Sequence, residues 1–182
     1  MVPSGFITTV PLGAVAAAFF AMNAINRENP PVSPATTVEA AAGQEHQFSY
    51  YLMVQKVKNG KDFEEPYRSS GQETVETGYK VRMNFIPDAD GYMYILNEGK
   101  NDVNETVFSL LFPTTIRNNG LSKITSGQTI DAPAKVKGKR GTEFFWVIWT
   151  KVQNPDVEAA IMSAFQTEGK VVGESRKNLE TY

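Results

Sequence analysis

Residues Val81 to Pro113 read VRMNFIPDADGYMYILNEGKNDVNETVFSLLFP, and this stretch carries three strands. Val81, Met83 and Phe85 alternate with Arg82 and Asn84, and the run ends in Asp88-Ala89-Asp90-Gly91. An aromatic strand, Tyr92 to Asn97, follows at once, and a polar loop then leads to Val107–Phe112, closed by Pro113. Period-two alternation bounded by Asp/Gly and Asn/Gly turns predicts an antiparallel meander. No residue constellation in it specifies a reaction.

The chain on either side continues the β pattern. Upstream, Phe48 to Val57 (FSYYLMVQKV) is rich in aromatic and β-branched residues and ends at the turn Lys58-Asn59-Gly60-Lys61. Asp62 to Gly78 is a polar excursion with room for one short edge strand. Downstream, Thr114 to Gly127 is a loop marked by Asn118-Asn119-Gly120, and Thr129 to Ala132 is a short strand that Pro133 should stop. Thr142 to Val152 (TEFFWVIWTKV) is the most β-prone run. One helix closes the domain: Asn154 suits the N-cap, Pro155 the first helical position, and Asp156 and Glu158 the positive end of the dipole. Val157, Ile161 and Phe165 form its apolar stripe, and Gly169 supplies the stop.

The N-terminal part differs in kind. Phe6 to Ile25 (FITTVPLGAVAAAFFAMNAI) carries no charge over 20 residues, close to the span of a bilayer core. Met1 to Gly5 lacks the basic residues of a signal peptide, and a buried core helix apolar all round would need a host larger than one small domain, so the segment is read as a retained membrane helix. Ala14 to Ala18 offers a small-residue face for close helix packing. Asn26 to Gly43, with Pro30, Pro31 and Pro34, is an extended linker. The expected fold is mainly β: an antiparallel β-sandwich with one C-terminal helix, preceded by a single N-terminal transmembrane helix. Its parts are the anchor (1–26), the linker (27–43), the sandwich with its closing helix (44–169) and a polar, irregular tail (170–182).

Composition narrows the chemistry. The chain has 182 residues, 41% of them hydrophobic, and a net charge of −2, which makes no electrostatic case for nucleic acid. Without cysteine there is no disulfide, thiolate site or cysteine nucleophile. With one histidine, His46, a multi-histidine metal site cannot be built. Asp88-Ala89-Asp90-Gly91 invites a calcium reading, but Gly91 as the sixth position of an EF-hand loop would put Ile86 first and Asn97 last, and neither is acidic. Asp62, Glu64 and Glu65 read as a solvated acidic loop. Neither G-x-G-x-x-G nor G-x-S-x-G occurs.

Asp90-Gly91-Tyr92-Met93-Tyr94-Ile95-Leu96-Asn97 and Leu110-Leu111-Phe112-Pro113, followed by Asn119-Gly120, Gly127, Pro133 and Gly141-Thr142-Glu143, form an ordered series of marks. The series resembles an uncharacterised bacterial β-sandwich domain family, found in surface lipoproteins and appended to caspase-like peptidase or protein kinase modules. The resemblance covers about residues 75–155. It implies an antiparallel sandwich in an accessory role and supplies no catalytic residues. The apolar N-terminal segment stands where an enzymatic module is expected.

Two features point to partners. On a strand, Phe144, Trp146 and Ile148 face one way and Phe145, Val147 and Trp149 the other. Both rows are apolar, so both need cover. One reading gives one row to the sandwich core and the other, the Trp149 row, to the helix stripe. A second gives a row to a partner subunit through aromatic anchors, and a third stacks exposed tryptophan on sugars. The second feature is Lys135, Lys137, Lys139 and Arg140, read first as a solvated hairpin tip and otherwise as a contact for phosphate, anionic lipid or an acidic partner. The interface candidates are therefore Phe19 and Phe20 of the anchor, Phe145, Trp149, Ile161 and Phe165, and the four basic residues.

The expected function is that of a non-catalytic, membrane-anchored accessory subunit that docks on and stabilises a larger membrane protein complex, with an electron-transfer or photosynthetic complex as one host. It needs no cofactor or metal, is not an enzyme and takes no nucleic acid. The alternative is a membrane-tethered ligand-binding or sensory module for carbohydrate or cell-envelope material. The expected location is a bacterial membrane, crossed once, with the folded domain on the periplasmic side. Arg27 alone leaves the positive-inside rule almost nothing to count, so the side stays open.

Overall fold

Period-two alternation gives each strand one row for a core, and the pairing decides which core that is. The computed structural model describes residues 6–11, 16–24, 45–69, 75–101, 103, 105–136 and 141–179. The strands are β1 (Phe6–Pro11), β2 (Ala16–Ala24), β3 (Glu45–Gln55), β4 (Val57–Lys58), β5 (Lys61–Asp62), β6 (Tyr67–Ser69) and β7 (Lys80–Pro87). They continue with β8 (Gly91–Lys100), β9 (Thr106–Phe112), β10 (Lys123–Ile124), β11 (Ile130–Lys135) and β12 (Gly141–Thr150). Helix α1 (Pro155–Gln166), strand β13 (Lys170–Val171) and helix α2 (Gly173–Leu179) complete the chain order. The protein is mainly β with antiparallel sheets, as the alternation predicts.

One sheet has the order β1-β3-β7-β11, with β6 also on β3; the other runs β13-β9-β8-β12-β2, with β10 on β8. A single apolar core joins them. Phe48, Leu52, Val54, Val81, Met83, Phe85 and Ile130 from the first sheet pack with Met93, Ile95, Phe112, Phe145, Val147 and Trp149 from the second. The second sheet's other face packs Tyr94, Leu96, Phe108, Leu110 and Ile148 against Val157, Ala160, Ile161 and Ala164 of α1. Each large side chain buried there is worth about 1.5–3 kcal/mol, which is what holds a twelve-residue helix that could not persist alone.

The core row of β12 is covered in full and the other row in part, with Phe144 left exposed, and the assignment is opposite to the one expected. Trp149, 5% exposed, belongs to the core between the sheets, while Ile148 and the half-buried Trp146 lie under the helix layer. The row is decided by register: β12 pairs Trp149 with Met93 and Ile148 with Tyr94, so each row continues the matching row of β8.

Several local expectations change once pairing is known. Of the three strands expected as a meander, β8 and β9 form a hairpin, whereas Asp88–Asp90 carries the chain from β7 in one sheet to β8 in the other. Gly91 sits there for space and not for a left-handed backbone: a Cβ on it would lie 2.6 Å from the Thr150 carbonyl oxygen and 2.7 Å from Trp149 Nε1. β11 runs through Pro133, which lies opposite Arg82 on an edge strand, the place in a sheet where proline is tolerated. The β4–β5 turn is as expected, with Asn59 and Gly60 at φ +53° and +76°. The tail is ordered as far as residue 179, since β13 pairs with β9 and α2 follows.

Where a helix was expected across Phe6–Ile25, β1 lies on β3 and β2 lies on β12, one on each sheet. No helix among the described residues is long and apolar enough to cross a membrane. The linker assigned to residues 27–43 lies outside the described residues, as do residues 180–182.

Candidate functional site

The outward rows of β3, β7 and β11 set Met53 and Gln55 beside Lys80 and Arg82, and those beside Pro133 and Lys135. They floor a groove of about 640 Å³ that Asp62 and Pro66 wall on one side. The wall is tied down in several places. Gln55 Nε2 donates to the carbonyls of Phe63 and Glu64 at 3.2 and 2.9 Å, Lys80 Nζ pairs with Asp62 at 2.6 Å, and Lys56 Nζ pairs with Glu64 at 2.7 Å. The Glu64 hydrogen bond, together with its charge, raises the Lys56 pKa. Glu64 has φ +62°, a conformation that costs a non-glycine residue energy and is held here by those ties.

The groove is positive around an apolar floor. Its lining includes Lys80, Arg82 and Lys135 against the single carboxylate Asp62. Beyond the rim, Asp131 pairs with Arg82 at 3.3 Å and with Arg117 at 3.5 Å, which leaves the same positive excess. The apolar part of the floor includes Met53 and Pro133. Such a site suits an anionic surface with some apolar body. These ion pairs are exposed, so each adds little stability; their effect is to set the groove's shape and charge.

The expected interface residues are scattered by the fold. Phe145, Trp149 and Ile161 are buried at 1%, 5% and 1%, inside the domain's own cores. Phe165 is half-buried against the helix layer, with its ring 3.5 Å from where a Gly120 Cβ would stand. Phe19 and Phe20 lie in β2 opposite Trp146 and Phe145. Lys135 reaches the groove; Lys137, Lys139 and Arg140 lie outside the described residues. Lys80, Arg82, Gln55 and Met53 were missed. Their alternation marked an outward row, but not which rows would lie side by side.

A second polar cluster sits under α1. Tyr94 Oη donates to Glu158 Oε1 at 2.7 Å, and Ser122 Oγ donates to the same oxygen. Burial, then the hydrogen bond to Glu158, pushes the Tyr94 phenol well above its ordinary pKa. With the phenol held neutral, the cluster works as a latch between helix and sheet. Asp90 is also engaged structurally: its Oδ1 accepts from the Ser126 N–H at 2.8 Å, while Ser126 Oγ donates to the Asp88 carbonyl at 2.7 Å. No group of three metal-ligating side chains occurs among the described residues.

Comparison with protein-family models, with curated proteins and with solved structures found no match.

Proposed function

We propose that the chain is a non-catalytic accessory subunit that docks on a larger membrane protein complex. The observation that carries this reading is the groove on the first sheet, whose three cations and one carboxylate surround an apolar floor. An acidic partner surface complements it, and charge of this kind contributes to orientation and association rate more than to affinity. The motif order in residues 75–155, through its resemblance to a sandwich family in an accessory role, supports the same reading.

In this reading Phe6–Ile25 anchors the chain in a bilayer as a helix. It has the length and lack of charge for that state, and five of the nine residues of β2 are alanine, which favours helix over strand. The strand pairing of β1 and β2 is then the state of the same segment away from lipid. The sugar-binding alternative gains little support, since Trp149 is buried and Trp146 Nε1 donates to Glu98 at 2.9 Å.

Mild detergent extraction of the full chain tests the proposal. Co-purification in fixed stoichiometry with other membrane proteins is expected, and Arg82→Glu with Lys135→Glu should weaken it, as should added salt. Full-length protein that stays in the aqueous phase without detergent overturns the anchor. Stoichiometry indifferent to the charge reversals overturns the groove as the docking surface.

A further inference from the structure

β12 is an interior strand only because β2 covers it. β8 pairs with its Phe144–Thr150 side, and β2 pairs with Gly141 to Trp149 on the other. From Phe144 to Thr150 the strand has no charge and no proline, so it lacks the devices that keep an exposed edge from pairing with another chain. Its cover is an alanine-rich strand, reached through residues 25–44 with their prolines. The strand best suited to a sheet is thus covered by a segment poorly suited to one. When that segment enters a bilayer, as the proposed function requires, β12 loses its cover.

We propose that the bared edge of β12 pairs antiparallel with the same edge of a second copy, centred on Val147, so that the two β8–β9–β12 sheets become continuous. The inference rests on the membrane-anchored reading. The strand's own sequence selects the partner and the register. About Val147, Trp146 meets Ile148, Phe145 meets Trp149, Phe144 meets Thr150, and Glu143 meets Lys151. Glu143, which accepts from Asn97 Nδ2 at 3.1 Å within one copy, would swing to Lys151, one residue past the strand, so that opposite charges meet at both ends and large side chains pair with complementary ones between. Moving the centre to Trp146 sets Glu143 against Trp149 and loses both charge pairs. Pairing Trp146 with Val147 instead would set the core row of one copy against the outer row of the other. A two-fold arrangement satisfies every pair twice, as an isologous interface requires.

The chain has no cysteine, so engineered pairs report cleanly. In full-length protein carrying Phe144→Cys and Thr150→Cys, the two thiols lie about 20 Å apart along one strand and cannot join within a chain. Oxidation in phosphatidylcholine vesicles is expected to give disulfide-linked dimers, and oxidation in lipid-free buffer to give few. Lys151→Glu should abolish most of the dimer, and adding Glu143→Lys should restore it. A second reporter, Ala21→Cys with Phe144→Cys, should close within one chain in buffer and lose that bond in vesicles, because Ala21 pairs with Phe144 only while β2 covers the edge. Vesicle-bound protein that gives no more dimer than in buffer overturns the pairing and leaves the anchor standing. Dimers indifferent to the charge reversals overturn it as well. Protein absent from the vesicles removes the anchor and the pairing together.

Discussion

Gly91 and Tyr94 are three residues apart on one strand, and each answers to a neighbour far away in sequence. Gly91 is required by the Thr150 carbonyl and the Trp149 indole, so Gly91→Ala should destabilise the domain by about 1–3 kcal/mol. A urea midpoint equal to that of the wild type would remove the close approach as the reason for glycine. Tyr94 makes a prediction about alkali. Its folded pKa is raised above the ordinary 10.0, so its contribution is fully present below the unfolded value and is lost as pH rises past it. Burial raises Tyr50 and Tyr79 in the same direction. Stability should therefore fall above about pH 10, and Tyr94→Phe should make the fall shallower. An unchanged slope in that variant would mean that Tyr94 ionises as easily folded as unfolded. Neither partner of these residues could be named from the sequence, because strand pairing brings in Thr150 and packing of α1 on the sheet brings in Glu158.

Helix α1 shows how much of an element can be read locally. Asn154 accepts from the N–H groups of Asp156 and Val157 at 3.0 and 3.2 Å, Pro155 opens the helix, and Gly169 follows with φ +85°. All of these were legible, because capping depends on neighbours in sequence. The covered row was not, because it depends on which strand faces the helix. The outcome changes the expected energetics. Ile161 is fully buried, so Ile161→Ala should cost about 2–5 kcal/mol, while half-buried Phe165→Ala should cost distinctly less. Asn154→Ala should cost about 1 kcal/mol. Thermal or urea melts of the three variants give the ranking; Phe165→Ala as the costliest would return the helix to the role first read for it.

At the scale of the whole molecule, two surfaces carry the functional argument, and each is assembled from distant segments. The groove needs β3, β7 and β11 side by side, and the β12 edge needs a decision about residues 6–24 that local pattern alone leaves divided. Deleting Phe6–Ala24 should therefore have two consequences: loss of membrane association, and a monomer that self-associates through β12. Sedimentation of the truncated chain reads the second. A truncated protein that stays monomeric at high concentration would show that the edge protects itself without β2.

The sequence by itself determined the strand periods, the turns at Asn59-Gly60, both ends of α1 and the exclusion of thiol and multi-histidine chemistry. These depend on residue type and short spacing. Tertiary structure alone decided that β7 and β8 belong to different sheets, that Trp149 faces the inter-sheet core, that Lys80, Arg82 and Lys135 share a groove, and that an uncharged N-terminal segment can lie on two sheet edges. The physical reason is the same in each case. A strand's period states that it has two faces, and a lack of charge states that a segment must be covered. What lies against each is settled only by backbone hydrogen bonds to strands tens of residues away, which leave no local mark.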